Sequence, residues 1–210
     1  MANSHRPTGK RLRIIRLPTA LAAMMAVSLT LGGCGGIVVG GAAKTATAAS
    51  QERGLDGAIT DARIQTEINH GWLVRDKTLF AALSSFVYER RVLLTGLVKS
   101  EDDRTAAIAM AWKVRGVKEV INEILIDPSG KTGTYARDTW INAQIKSKLL
   151  FNQEIISINY SVDAVRQTVY LFGVAQSKQE LDRVINIARN IKYVERVVNH
   201  VLLKTDQRRK

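Results

Sequence analysis

Val92-Leu93-Leu94-Thr95-Gly96-Leu97-Val98-Lys99-Ser100 returns 77 residues later as Val169-Tyr170-Leu171-Phe172-Gly173-Val174-Ala175-Gln176-Ser177. In each stretch two identical residues stand two apart, Val92 and Leu94 or Val169 and Leu171, and alternate side chains of a strand share one face. A glycine falls at the same place in both, and the serine four residues later stands where a helix would open. Serine suits that place because its oxygen accepts from the free backbone amides of a first helical turn. The stretch reads as a strand feeding a helix, present twice.

Outward from it, the same offset relates Asp61 to Asp138, Ile64 to Ile141, Ile68 to Ile145, Val120 to Val197 and Asn122 to Asn199. Between residues 61–126 and 138–203, 15 of 66 positions are identical without a gap. A match of that length in constant register is a duplication. Each copy opens on an aspartate, expected to cap a first helix. Ile64, Ile68 and Trp72, like Ile141, Ile145 and Leu149, follow at four-residue spacing as a buried stripe. Two strands are expected around a polar turn, Leu79 to Val87 then Val92 to Val98, and Ile155 to Val162 then Thr168 to Ala175. Ser100 to Asp103 and Ser177 to Glu180 have the capping-box spacing of a second helix, with Asp103 the weaker fit. Val117 to Ile126, or Val194 to Leu203, closes each unit as a last strand. A crossover through the second helix leaves that strand parallel to its neighbour. The expected fold class is α+β, two tandem αββαβ domains, each a three-stranded mixed sheet with two helices on one face. The other face, with Leu93, Thr95, Tyr170 and Phe172, is expected against the sister domain.

The glycine strand, the serine-capped helix and the closing runs from Gly116 to Asn122 and from Tyr193 to Asn199 resemble the BON domain. That domain occurs in bacterial osmotic-stress proteins and in outer-membrane lipoproteins with two copies. The resemblance covers residues 55–204 and implies phospholipid or envelope association without catalysis. Copy two departs from the family pattern at Tyr193, where the glycine kept at Gly116 is usual.

The N-terminal segment reads differently. Residues 1–16 are basic and Leu17 to Leu31 apolar, the order of a secretory signal peptide and too short for a membrane span. The run Leu31-Gly32-Gly33-Cys34 resembles a bacterial lipobox, in which the cysteine is acylated and becomes the mature N-terminus. Cys34 is the only cysteine of the chain, and a thioether anchor needs no partner. Gly35, rather than aspartate, implies the outer membrane by the same resemblance. The expected divisions are a lipoprotein signal peptide 1–33, a flexible tether 34–54 rich in Gly, Ala, Thr and Ser, a first domain 55–128, a linker 129–133, a second domain 134–204 and a basic tail 205–210. The expected location is the periplasmic face of the outer membrane, with the chain held there by its lipid.

Charge is unevenly divided. Residues 55–128 carry 10 basic and 11 acidic side chains, whereas residues 129–210 carry 14 basic and 7 acidic. The second copy therefore holds nearly all the positive charge of the mature chain, an expected footprint for an anionic phospholipid membrane surface. Trp140 lies roughly 140° from the centre of the Ile141, Ile145, Leu149 stripe at about 100° per residue, and so points to solvent. Tryptophan favours the headgroup interface. Arg137, Gln144, Lys146 and Lys148 are on the same helix or its entry, and with Trp140 they make the candidate phospholipid-binding set.

The alternative partner is a protein of the outer-membrane assembly or secretion machinery, with Trp140 as the hot spot. Nucleic acid is not expected, since the chain is read as exported. No catalytic residue, cofactor or metal site is expected: no nucleophile and base pair up, no glycine-rich phosphate loop occurs, and the three histidines are widely separated. Trp72 is assigned to the core, Trp112 to a half-exposed position, and His70 and His200 to structural or surface roles.

Overall fold

The computed structural model describes residues 52–129 and 134–209. Cys34, the expected signal peptide, the expected tether up to residue 51 and residues 130–133 of the expected linker lie outside the described residues. The first copy runs α1 (Gly54–Arg75), α2 (Lys77–Ala82), β1 (Leu83–Tyr88), β2 (Arg91–Val98), α3 (Glu101–Lys113) and β3 (Glu119–Ile126). The second runs α4 (Tyr135–Leu150), a 3-10 turn (Ser157–Asn159), β4 (Tyr160–Val165), β5 (Thr168–Ala175), α5 (Lys178–Arg189) and β6 (Arg196–Leu203), followed by a 3-10 turn (Gln207–Arg209).

Each copy folds as a three-stranded mixed sheet with the glycine strand in the middle. β1 pairs with β2 antiparallel and β2 with β3 parallel, and β4, β5 and β6 repeat the arrangement. The central strands are buried on both faces, as strand alternation allows. Val92, Leu94 and Val98 pack with Ile64, Ile68 and Trp72 of α1 and with Ala107 and Ala111 of α3. Val169 and Leu171 pack with Ile141, Ile145 and Leu149 of α4 and with Val184 and Ala188 of α5. Each such aliphatic side chain, fully buried, stabilises the fold by about 1.5–3 kcal/mol.

The repeated residues have separate reasons. Ser100 and Ser177 cap α3 and α5, accepting from the amides of Asp103 and Glu180. Asn122 and Asn199 accept from the amides of Ile124 and Val201 on edge strands β3 and β6. The central glycines allow a close crossing: a Cβ at Gly96 would stand 2.2 Å from the carbonyl oxygen of Ala82, and one at Gly173 1.9 Å from that of Asn159.

Two expectations are corrected. Leu79 to Ala82 is helical, not strand, because Asp76 opens α2 by accepting from the Thr78 amide at 2.6 Å. In copy two the strand likewise starts late, at Tyr160 rather than Ile155. Asp61 and Asp138 are not helix caps; Asp61 lies in the third turn of α1 and Asp138 in the first turn of α4, and the N-caps are Arg53 and Thr134. Their carboxylates instead hold the β-hairpins. Asp61 accepts from the amides of Glu89 and Arg90 at 2.7 and 2.8 Å, and Asp138 from those of Arg166 and Gln167 at 2.9 and 2.8 Å. These turn residues all have positive φ, between 49° and 66°. Two-residue hairpin loops need that geometry, and Asn-Gly or Asp-Gly normally supplies it. Here the buried carboxylate fixes the turn with no glycine.

The second faces of the sheets close on each other. Leu93, Tyr170, Phe172, Val174 and Leu202 form one apolar cluster with Tyr88 and Val165, and Leu97, Ile121, Leu125 and Val198 pack against it. The contacts are reciprocal, β1 meeting β5 and β2 meeting β4. Glu123 and His200, equivalent under the 77-residue offset, hydrogen-bond to each other at 2.8 Å. That is the mark of an isologous interface, in which one patch meets its own counterpart. The result is a sandwich with the sheets inside and the helices outside, and the described residues build both cores and the central interface.

Candidate functional site

α4 is an outer-layer helix, so whatever it does not bury against β4–β6 faces outward. Trp140 is 40% exposed on that outer side. Its indole meets the ring of Tyr193 edge-on, with centroids 5.7 Å apart. Tyr193 follows α5 with φ +71°, a conformation that glycine adopts freely and tyrosine rarely. The turn therefore projects a phenol where the equivalent Gly116 projects nothing.

Two cations bracket that phenol ring. The Arg137 guanidinium carbon lies 4.9 Å and the Lys192 nitrogen 4.7 Å from its centroid. The hydrogen bond and charge of Lys192 hold the Tyr193 hydroxyl below its usual pKa of 10. Arg137 donates to the Gln167 side chain at 2.8 Å, which fixes it to the hairpin turn that Asp138 clamps.

The structure brings together only part of the expected set. Arg137 and Trp140 are in one cluster. Gln144 and Lys148 continue along the same side of α4, one and two turns on. Lys146 is about 120° around the helix from Trp140 at 100° per residue, and so faces another way. Phe151, which the sequence reading did not single out, is 81% exposed at the end of α4. Trp140, Gln144, Ser147 and Phe151 stand at spacings of four, three and four, one stripe with an aromatic ring at either end. Tyr193 was legible only as a departure from the glycine of copy one, and Lys192, which stands where copy one has Arg115, was not singled out.

Positive charge is less free than the composition suggests. Arg166 pairs with Asp127, and Arg209 pairs with Glu89 and lies 3.7 Å from Glu52. Arg209 thus ties the tail to the first copy, while Arg208 pairs with Asp206 within the tail. Among the described residues of the second copy, Arg137, Lys146, Lys148, Arg189, Lys192 and Arg196 have no ion pair.

Trp72 is fully buried, its indole nitrogen donating to the Ala107 carbonyl, while Trp112 is 51% exposed. Among the described residues no group of His, Cys, Asp and Glu could hold a metal, and no helix is long and apolar enough to cross a membrane. The arrangement offers rings and cations on one outward face, suited to a surface that is apolar beneath and anionic above.

Three relatives are informative. An uncharacterized protein in the gshII 5′ region of Anaplasma centrale is 41% identical over 158 residues, 72% of this chain and 100% of its own length. The outer membrane lipoprotein DolP of Haemophilus influenzae is 29% identical over 181 residues, 85% of this chain and 92% of its own. The osmotically-inducible protein Y of Escherichia coli is 27% identical over 69% of this chain and 73% of its own length. The BON domain family matches twice, over residues 76–128 and 137–205, the segments that hold the two glycine strands and their serine-capped helices. With two matched segments in one chain and the duplicated αββαβ sheet in place, this protein belongs to the BON domain family as a tandem member.

Proposed function

We propose that this chain is a non-enzymatic envelope protein, lipid-anchored through Cys34 at the periplasmic face of the outer membrane, whose second BON domain docks on anionic phospholipid and supports outer-membrane integrity. The Haemophilus influenzae relative, named an outer membrane lipoprotein, supports the location. The observation that carries the docking mode is the outward cluster of Trp140 and Tyr193 with Arg137 and Lys192 around the phenol. Trp140, Tyr193 and Phe151 enter the headgroup region, and Arg137, Lys148 and Lys192 pair with phosphates. Gln144 lies between the rings as a hydrogen-bonding group. Lys146 adds only long-range attraction. Each cation near such a surface contributes on the order of 1 kcal/mol, enough to orient a domain already tethered beside it.

The test is flotation of residues 52–210 with vesicles of phosphatidylglycerol in phosphatidylcholine against phosphatidylcholine alone. Binding is expected only to the former, weakening as salt rises, and Trp140→Ala is expected to lower it several-fold. Equal binding to both vesicles refutes the reading. Capture of an envelope protein that Trp140→Ala abolishes while vesicle binding stays intact assigns the face to a protein partner.

A further inference from the structure

The two copies differ in sequence where copy two builds its aromatic cluster. By the 77-residue offset, Trp140 stands where copy one has Arg63, Gln167 where it has Arg90, Lys192 where it has Arg115, and Tyr193 where it has Gly116. Gly116 has φ +102° and puts no side chain in the place of the phenol. A Cβ there would lie 3.4 Å from Nη2 of Arg63 and 3.4 Å from Nη2 of Arg90, so the two guanidiniums converge beside the glycine, with their Nη2 atoms no more than twice that distance apart.

Neither guanidinium is loose. Arg63 donates to the Arg115 carbonyl at 2.7 Å, and Arg90 donates through Nε to the Gly116 carbonyl at 2.6 Å. Backbone carbonyls thereby fix both forks and leave further N–H groups of each undirected. Glu67 neutralises part of Arg63, accepting from Nη1 at 2.5 Å. Asp61, the other nearby acid, is taken up by the turn amides and Arg53. Arg90, Arg115 and Lys118 are exposed and have no ion pair among the described residues. Two like charges held beside each other repel unless an anion joins them, and fixed guanidinium forks match a phosphate-type oxyanion in geometry as well as charge.

We infer that the first domain carries an oxyanion site of its own, in which Arg63 and Arg90 bind a phosphate group over Gly116 and Arg115 and Lys118 add positive potential at the rim. It is separate from the α4 face. Glu89, in the β1–β2 turn, pairs with Arg209 beyond the end of β6, and Arg166, in the β4–β5 turn, pairs with Asp127 beyond the end of β3. Each turn therefore lies against the far end of the sister copy's last strand, and the two sites adjoining these turns are at opposite ends of the sandwich. A membrane that meets α4 does not present its phosphates to Arg63 and Arg90; the phosphate comes from solution or from a second surface.

The experiment is an amide and arginine-side-chain NMR titration of residues 52–210 with inorganic phosphate at constant ionic strength, chloride being the reference. Saturable shifts are expected at Arg115 to Val117 and at the Nε–H of Arg90. Apparent affinity is expected to fall about tenfold in the Arg63→Gln, Arg90→Gln double variant and to be unchanged in Trp140→Ala. Arg90→Lys, which keeps the charge and loses the fork, is expected to weaken binding too. Shifts that rise linearly without saturating, that spread over all cationic residues alike, or that survive the double variant overturn the site. In the Trp140→Ala background, flotation with phosphatidic acid vesicles that depends on Arg63 and Arg90 assigns the phosphate to a lipid headgroup. Saturable phosphate shifts without such flotation assign it to a soluble ligand.

Discussion

Replacing Asp138 by alanine separates the clamp seen in the structure from an ordinary helix cap. The Asp138 side chain is 7% exposed and accepts from two amides, those of Arg166 and Gln167, which stand at φ +49° and +63°. A hydrogen bond to a charged group contributes about 1.5–3 kcal/mol, so the two together are worth roughly 3–6 kcal/mol. Water reaching the turn in the variant recovers part of that, and a net loss of about 3–4 kcal/mol is expected. Asparagine, with one oxygen and no charge, is expected to lose about half as much. Helix caps behave differently, since losing one costs about 1 kcal/mol and asparagine serves as well as aspartate. Urea unfolding of residues 52–210, compared at equal m value, reads the difference. A second change supplies an internal check: Gln167→Gly relieves about 1 kcal/mol of left-handed strain and is expected to restore part of the stability that Asp138→Ala removes. A loss of about 1 kcal/mol or less with asparagine equal to aspartate would refute the clamp.

Gly173→Ala places a methyl group on the Asn159 carbonyl oxygen and is expected to unfold the second domain, visible as loss of its dispersed amide resonances. Arg209→Ala and Glu89→Ala are each expected to lower the unfolding midpoint, and a double-mutant cycle to give a coupling of about 1 kcal/mol or more, because the pair is largely shielded from water; additive effects would show that the tail does not dock. The Glu52 carboxyl is raised by its own burial, but the Gln176 hydrogen bond and the charges of Lys204 and Arg209 outweigh this and hold it below its ordinary 4.5. A depressed carboxyl stabilises the fold above its unfolded pKa and loses that contribution as pH falls through the folded value. Stability is therefore expected to decline with acid below about pH 4.5 less steeply in Glu52→Gln than in the parent, and identical acid profiles would contradict the assignment.

The sequence by itself determined the order of the elements that the two copies share, though not the helix α2, for a physical reason. The duplication, the buried stripe of Ile141, Ile145 and Leu149, the serine caps at Ser100 and Ser177 and the alternation along Val169 to Ala175 are local or periodic, and a helix turn or a strand pleat expresses them without help from distant residues. Trp140 was legible as outward-facing by the same arithmetic. Tertiary structure alone decided what depends on partners far along the chain. The amides held by Asp138 are 28 and 29 residues away, so local spacing favoured a cap. Tyr193 joins Trp140 only because α5 and α4 pack on one sheet. The +7 balance of residues 129–210 counted Arg209 as free, whereas a carboxylate 120 residues distant takes it up. A charge sum adds without regard to place, but potential at a surface depends on which charges meet, and only folding brings them together.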